Sequence, residues 1–195
     1  MAAVVFAVTI GASLYGLYRS PRFIERCLFE PYRFLRERRY ETIITSGFVH
    51  ADFGHLLANM LTFYFFAFPL ESRIGPARFT LLYLLALIAS DLPTYFKHRN
   101  NPNYASLGAS GAISAVLFAA VVYFPAMKLI VIPIPLPIPA PLFAVGYVAY
   151  TWWSARQARG RINHDAHLGG ALFGVLFVML TDPAAWSGLL RTLVG

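Results

Sequence analysis

Charge is what this sequence has least of. Only 13% of its 195 residues are Asp, Glu, Lys or Arg, against about a quarter in an ordinary soluble domain. So little charge cannot wet a whole protein surface, which excludes a soluble globular domain of the usual kind. With 58% hydrophobic residues and a mean hydropathy of +0.59, lipid is the solvent the chain is built for. Acidic residues are scarcer still, nine against sixteen Lys and Arg, for a net charge of +7. Such a surplus can mark a nucleic-acid binder, but here the basic residues fall in short segments between apolar runs. Arg19, Arg22, Arg26, Arg33, Arg36, Arg38 and Arg39 follow the first run, and Arg156, Arg159 and Arg161 precede the last. The lipid bilayer is the expected partner and nucleic acid is not. The arginines read either as contacts to anionic headgroups or as plain flanking charges. Cysteine is nearly absent: Cys27 stands alone, cannot form an internal disulfide, and is read as incidental. No long linker is visible, so a single membrane domain over 1–195 is expected.

A spanning helix needs roughly 20 mostly apolar residues. Six runs approach that length: 2–18, 53–70, 77–90 with some extension, 109–124, 142–155 and 166–180. The first lacks a basic leader and a small-residue cleavage site, so it reads as a retained helix. Pro69 is expected to end the second run, Gly75 and Pro76 to open the third, and Pro93 to follow it. Prolines at 133, 135, 137, 139 and 141 make 132–141 an extended connector despite its apolarity. The stretch 19–52 is too long for a structureless loop and mixes charges with aromatics, which predicts short amphipathic helices at the membrane interface.

Polar residues inside apolar runs are costly in lipid, so they are the first candidates for chemistry. His55 and Asn59 lie at the start of the second helix, Ser110 at the start of the fourth and His167 at the start of the sixth. If six helices alternate in direction, the starts of the even ones share one membrane face, and the four side chains converge there. Ser110 lies between Gly108 and Gly111, where free N–H groups at a helix start suit a developing oxyanion. Alone, that string is as well read as a packing motif. His167, Gly170 and Gly174 share one helical face, and small residues there let a neighbouring helix with Gly111 and Ser114 approach closely. An imidazole brought to Ser110 in this way supplies the base that a hydroxyl nucleophile needs. His55 and Asn59 also share a face and offer hydrogen-bond donors, either to an oxyanion or between helices. Neither Asp165 nor Asp182 is placed to complete a triad, so a Ser–His dyad is inferred. His164 and His167 lack an evident third ligand, so no metal or other cofactor is expected.

These residues, in order, resemble the rhomboid family of intramembrane serine proteases. Thr45-Ser46-Gly47-Phe48-Val49-His50 with His55 and Asn59 is similar to the family's second-helix start. Glu71-Ser72-Arg73 is similar to its Glu-x-Arg, Gly108-Ala109-Ser110-Gly111 to its Gly-x-Ser-Gly, and Ala166-His167 with Gly170 and Gly174 to its last signature. The resemblance implies an all-α, six-transmembrane-helix bundle with a long interfacial first loop, cutting membrane-anchored protein substrates in or near their transmembrane segments. It implies Ser110 as nucleophile and His167 as base, with His55, Asn59 and the Ser110 N–H as oxyanion hole. His50 would brace the site, Gly108 shape the turn, and Glu71 and Arg73 tie down the loop after the second helix. It also implies lateral substrate entry gated by the fifth helix and residues 152–163. Two positions depart from the family pattern: Ser114 stands where an aromatic often stacks on the catalytic histidine, and Glu41-Thr42 stand near a usual Trp-Arg pair.

The family resemblance leads to an expected home in a bacterial inner (plasma) membrane with the site facing outward. The loop charges oppose that orientation: twelve Lys and Arg lie on the active-site face and four on the other. The main rival function is an inactive relative that binds or escorts membrane proteins, which labelling of Ser110 by a fluorophosphonate would exclude. A channel or transporter is disfavoured by the lack of internal repeats and mid-membrane carboxylates, and a metalloprotease by the lack of His-Glu-x-x-His.

Overall fold

The computed structural model describes residues 1–131, 134–157 and 162–194. It is helical, in the order α1 (Ala2–Tyr18), α2 (Pro21–Cys27), α3 (Pro31–Arg36), α4 (Thr42–Thr45), a 3-10 turn (Ser46–Phe48), α5 (Phe53–Ile74), α6 (Pro76–His98) and α7 (Ser110–Tyr123). A hairpin of β1 (Lys128–Val131) and β2 (Ile134–Pro139) follows, then α8 (Ala140–Gln157), α9 (His164–Thr181) and α10 (Ala185–Val194). By length and composition, α5, α6 and α9 are able to cross a membrane, and α1 and α7 are shorter apolar helices.

The core is built around α7. Every residue from Gly111 to Val122 is buried, as expected for a helix that is apolar all round. Its 14 residues make a rod of only about 21 Å, enclosed by the longer α5, α6 and α9. Aromatic side chains of α5 and α6 fill the other side, where Phe63, Phe79 and Tyr83 are wholly buried and mutually in ring contact. Cys27 is buried, and burial pushes its thiol pKa up, so it is held as an unreactive thiol.

Two helix boundaries differ from the sequence expectation. The second helix does not end at Pro69, nor does the third stop before Pro93; both prolines lie inside helices. Each costs one backbone hydrogen bond, which neighbouring packing in an apolar helix offsets. Pro93 is covered by α9, where a Cβ on Gly169 would stand 3.1 Å from its ring. The proline-rich connector is extended but also paired, with Leu129 opposite Ile138 in an antiparallel ladder. Successive N–H groups of a strand point to opposite edges, so alternate prolines leave one edge able to donate. α10 was not foreseen. Its Ala185, Trp186 and Leu189 pack onto the main core. Residues 158–161 of the expected gate segment, including Arg159 and Arg161, and residues 132–133 of the connector lie outside the described residues.

Candidate active site

The first turns of three helices meet at one end of the bundle, each started by its own local device. Asp52 caps α5, its Oδ1 accepting the His55 N–H at 2.8 Å, which places His55 in the first turn and Asn59 one turn later. The Asn59 side chain is buried and donates to the His55 carbonyl at 2.9 Å. Asn163 caps α9, its Oδ1 accepting the Ala166 N–H at 3.1 Å and the Thr94 hydroxyl of α6 at 3.0 Å. His167 therefore sits in a first turn tied to a second helix. Asn163→Ala is expected to lower stability by about 1 kcal/mol, seen as a lower thermal midpoint in detergent, with Thr94→Val giving part of the loss.

The approach to Ser110 is fastened on both sides. Phe29 and Ser106 exchange two backbone hydrogen bonds of 3.0 Å, and the Gly108 N–H donates to the Ser46 carbonyl at 2.9 Å. Gly108 has φ +116°, and the His55 ring occupies the space of a side chain there, 2.7 Å from an added Cβ. Only glycine meets both conditions, and the contact brings His55 against the turn that enters α7.

His50 completes this support. It is fully buried, with Nε2 accepting the Ala109 N–H at 3.5 Å and Nδ1 lying 2.9 Å from Ser13 Oγ of α1. A backbone N–H can only donate, so Nε2 is unprotonated and Nδ1–H donates to Ser13, whose hydroxyl donates on to the Phe48 carbonyl at 3.1 Å. A second ring proton would face the Ala109 N–H. Burial first, and neighbouring His55 next, hold the His50 pKa down to about 3, against an opposing pull from Asp52. Below the ordinary pKa of about 6.5 the unfolded chain gains a proton that the fold refuses. The stability His50 contributes is therefore complete above that pH and falls by about 1.4 kcal/mol per unit towards pH 3. Between pH 7 and 5 wild type should lose about 2 kcal/mol more than His50→Asn. Parallel melting curves for the two proteins would refute this assignment.

α7 and α9 touch backbone to backbone. A Cβ on Gly170 would collide with the Gly111 carbonyl, and one on Gly174 with the Ala115 carbonyl. This brings the first turn carrying His167 beside the first turn carrying Ser110. Among the described residues no hydrogen bond joins the two side chains. Ser110 lines a small polar cavity with Gly108, Gly111, Ser90, Asp91 and Asn163. Asp91 was not foreseen: the third apolar run was expected over 77–90 with some extension, and nothing in its spacing singled Asp91 out. Asp165, two residues before His167, pairs with Lys97 at 2.7 Å, and Asp182, at the far end of α9, accepts from the Tyr123 hydroxyl at 3.1 Å.

Tyr147 of α8 is the other neighbour that sequence reasoning missed. Its ring lies at 20° to the His167 ring with centroids 6.3 Å apart, and its hydroxyl is 2.8 Å from Ser114 Oγ. Its position in α8 carries no motif to reveal that. Glu71 and Arg73 lie within α5 itself: Glu71 accepts the Ala2 N–H of α1 at 3.1 Å, and Arg73 covers the Tyr123 ring at 5.7 Å. His164 stands edge-on to His167, and among the described residues no group of three or more His, Cys, Asp or Glu is placed to hold a metal ion.

Residues 37–183 match the model of the Rhomboid domain, which is most of the chain. The chain belongs to the rhomboid family. This rhomboid is 31% identical to Rhomboid protein 1, mitochondrial, of Saccharomyces cerevisiae, over 86% of its own length and 50% of that protein. It is 32% identical to the human presenilin-associated rhomboid-like protein, mitochondrial, over 74% of its length and 38% of that protein. RHOMBOID-like protein 12, mitochondrial, of Arabidopsis thaliana is 28% identical over 68% of this chain and 44% of its own. The chain thus spans about half the length, or less, of these curated relatives. They correct one expectation: a bacterial plasma membrane does not stand, because the relatives are mitochondrial by name and come from yeast, human and plant.

Proposed function

We propose that this rhomboid is an intramembrane serine endopeptidase of a mitochondrial membrane, hydrolysing membrane-anchored proteins in or near their transmembrane segments. The observation that carries the proposal is the meeting of three distant helix starts: the His55 ring fills the space beside Gly108 at the entry to α7, and the contact of Gly170 with the Gly111 carbonyl brings the start of α9, with His167, beside Ser110. In this reading α1, α5, α6, α7, α8 and α9 are the six spans, and the short helices between α1 and α5 rest in the interface. α7 is too short to reach both surfaces, so its start lies below the headgroups, where a polar cavity can hold the water that hydrolysis needs.

His167 takes the Ser110 proton as Oγ attacks the scissile carbonyl. The tetrahedral oxyanion is held by the Ser110 N–H, free at the start of α7, with His55 and the second Asn59 amide proton. His167 returns the proton to the leaving amine, and water then releases the acyl group by the same steps in reverse. The missing Ser–His hydrogen bond is no obstacle, since such bonds often tighten only when substrate is bound. The test is cleavage of a model transmembrane substrate by the purified full chain in detergent. Wild type should cut it; Ser110→Ala should not. Uncut substrate with wild type, with capture of intact membrane proteins, would favour an inactive escort.

A further inference from the structure

The His167 ring makes no hydrogen bond to protein among the described residues; Asp165, two residues before it, is paired with Lys97, and Asp182 lies at the far end of α9. An imidazole on two rotatable bonds then takes its orientation from packing. Two rings flank it. His164 meets it edge-on, and Tyr147 lies nearly flat against it.

Tyr147 is itself fixed at both ends. Ser114 Oγ donates to the Ser110 carbonyl at 2.9 Å. A carbonyl can only accept, so the Ser114 proton is used there, and the 2.8 Å contact with Tyr147 is a hydrogen bond that the tyrosine donates. Phe118 and Phe143 confine the same ring, with centroids at 5.4 and 5.7 Å. A continuous path therefore runs from the carbonyl of Ser110, through the Ser114 and Tyr147 hydroxyls, to the face of His167.

We infer that Tyr147 is the positioning residue for His167: latched through Ser114 to the helix that carries the nucleophile, its ring fixes the plane in which the imidazole meets Ser110. The inference rests on the serine-protease reading above. Misplacing a base by about 1 Å costs on the order of 10²-fold in rate, and substrate binding is not touched.

The experiment measures kcat and KM for cleavage of a model transmembrane substrate by the purified full chain. Tyr147→Leu removes ring and latch and should lower kcat about 10²-fold with KM within about twofold of wild type. Tyr147→Phe keeps the ring and Ser114→Ala breaks the same hydrogen bond from the other side. Each should lower kcat by roughly threefold to tenfold, and the double variant should be no worse than either single one. Tyr147→Phe changes one oxygen and carries the test if Tyr147→Leu does not fold. Unchanged kcat in Tyr147→Phe, additive effects of the two latch variants, or a loss confined to KM would each overturn the inference. Wild-type activity abolished by Ser110→Ala but indifferent to Tyr147 defeats this inference alone; inactive wild type defeats the serine-protease reading, and this inference falls with it.

Discussion

Ser110→Ala and His167→Ala should each reduce cleavage by about 10⁴-fold or more, and the double variant should be no slower than either. In the proposed mechanism nucleophile and base act as one unit, so removing the second adds nothing once the first is gone. Two roles that were merely structural would instead give losses that multiply. His55→Ala and Asn59→Ala belong to a different class. They remove donors and leave the attack intact, so losses of about 10²- to 10³-fold are the expected scale. Rates measured at saturating substrate separate the two classes, since neither should move KM.

Gly170→Ala should be among the most damaging single-methyl changes the chain can receive. The added Cβ runs into the Gly111 carbonyl, a backbone atom that no rotamer change can move aside. The helices must separate, at a cost of about 3 kcal/mol, and His167 withdraws from Ser110 as they do. A lower thermal midpoint and a cleavage loss on the order of 10²-fold should appear together. Gly174→Ala, against the Ala115 carbonyl one turn deeper, should match the loss of stability with less loss of rate, because it lies farther from the reacting atoms. Gly146→Ala on α8 is the control: nothing stands within 4 Å of the new methyl, so stability and rate should stay near wild type.

Much of the candidate site was legible because lipid makes polarity expensive. His55, Asn59, Ser110 and His167 stood out against apolar runs, and alternation of helix direction alone brought their segments to one end. The glycines at 111, 170 and 174 announced a close helix pair, which the structure contains as backbone contact between α7 and α9. Proline was misleading: a rule learned from water ended helices at Pro69 and Pro93 that packing carries through. Tyr147 was hidden for another reason. A tyrosine among Phe, Val and Trp looks like any lipid-facing aromatic, and only tertiary structure puts Ser114 under its hydroxyl and His167 against its face. Asp91 and Ser90 belong to no motif, and only tertiary structure puts them in the cavity that Ser110 lines. The membrane of residence was not written in these residues at all. The loop arginines speak of a charged interface, and it was the yeast, human and plant relatives that turned the reading away from bacteria.

The central claim is that one hydroxyl, at the start of a short buried helix, is made nucleophilic by one imidazole. The most direct measurement is to treat the full chain in detergent with a fluorophosphonate and locate the adduct by peptide mass spectrometry. The account predicts a single modified residue, Ser110, with labelling lost in His167→Ala while the protein stays folded. An adduct on another serine, or equal labelling of Ser110 with and without His167, would contradict it.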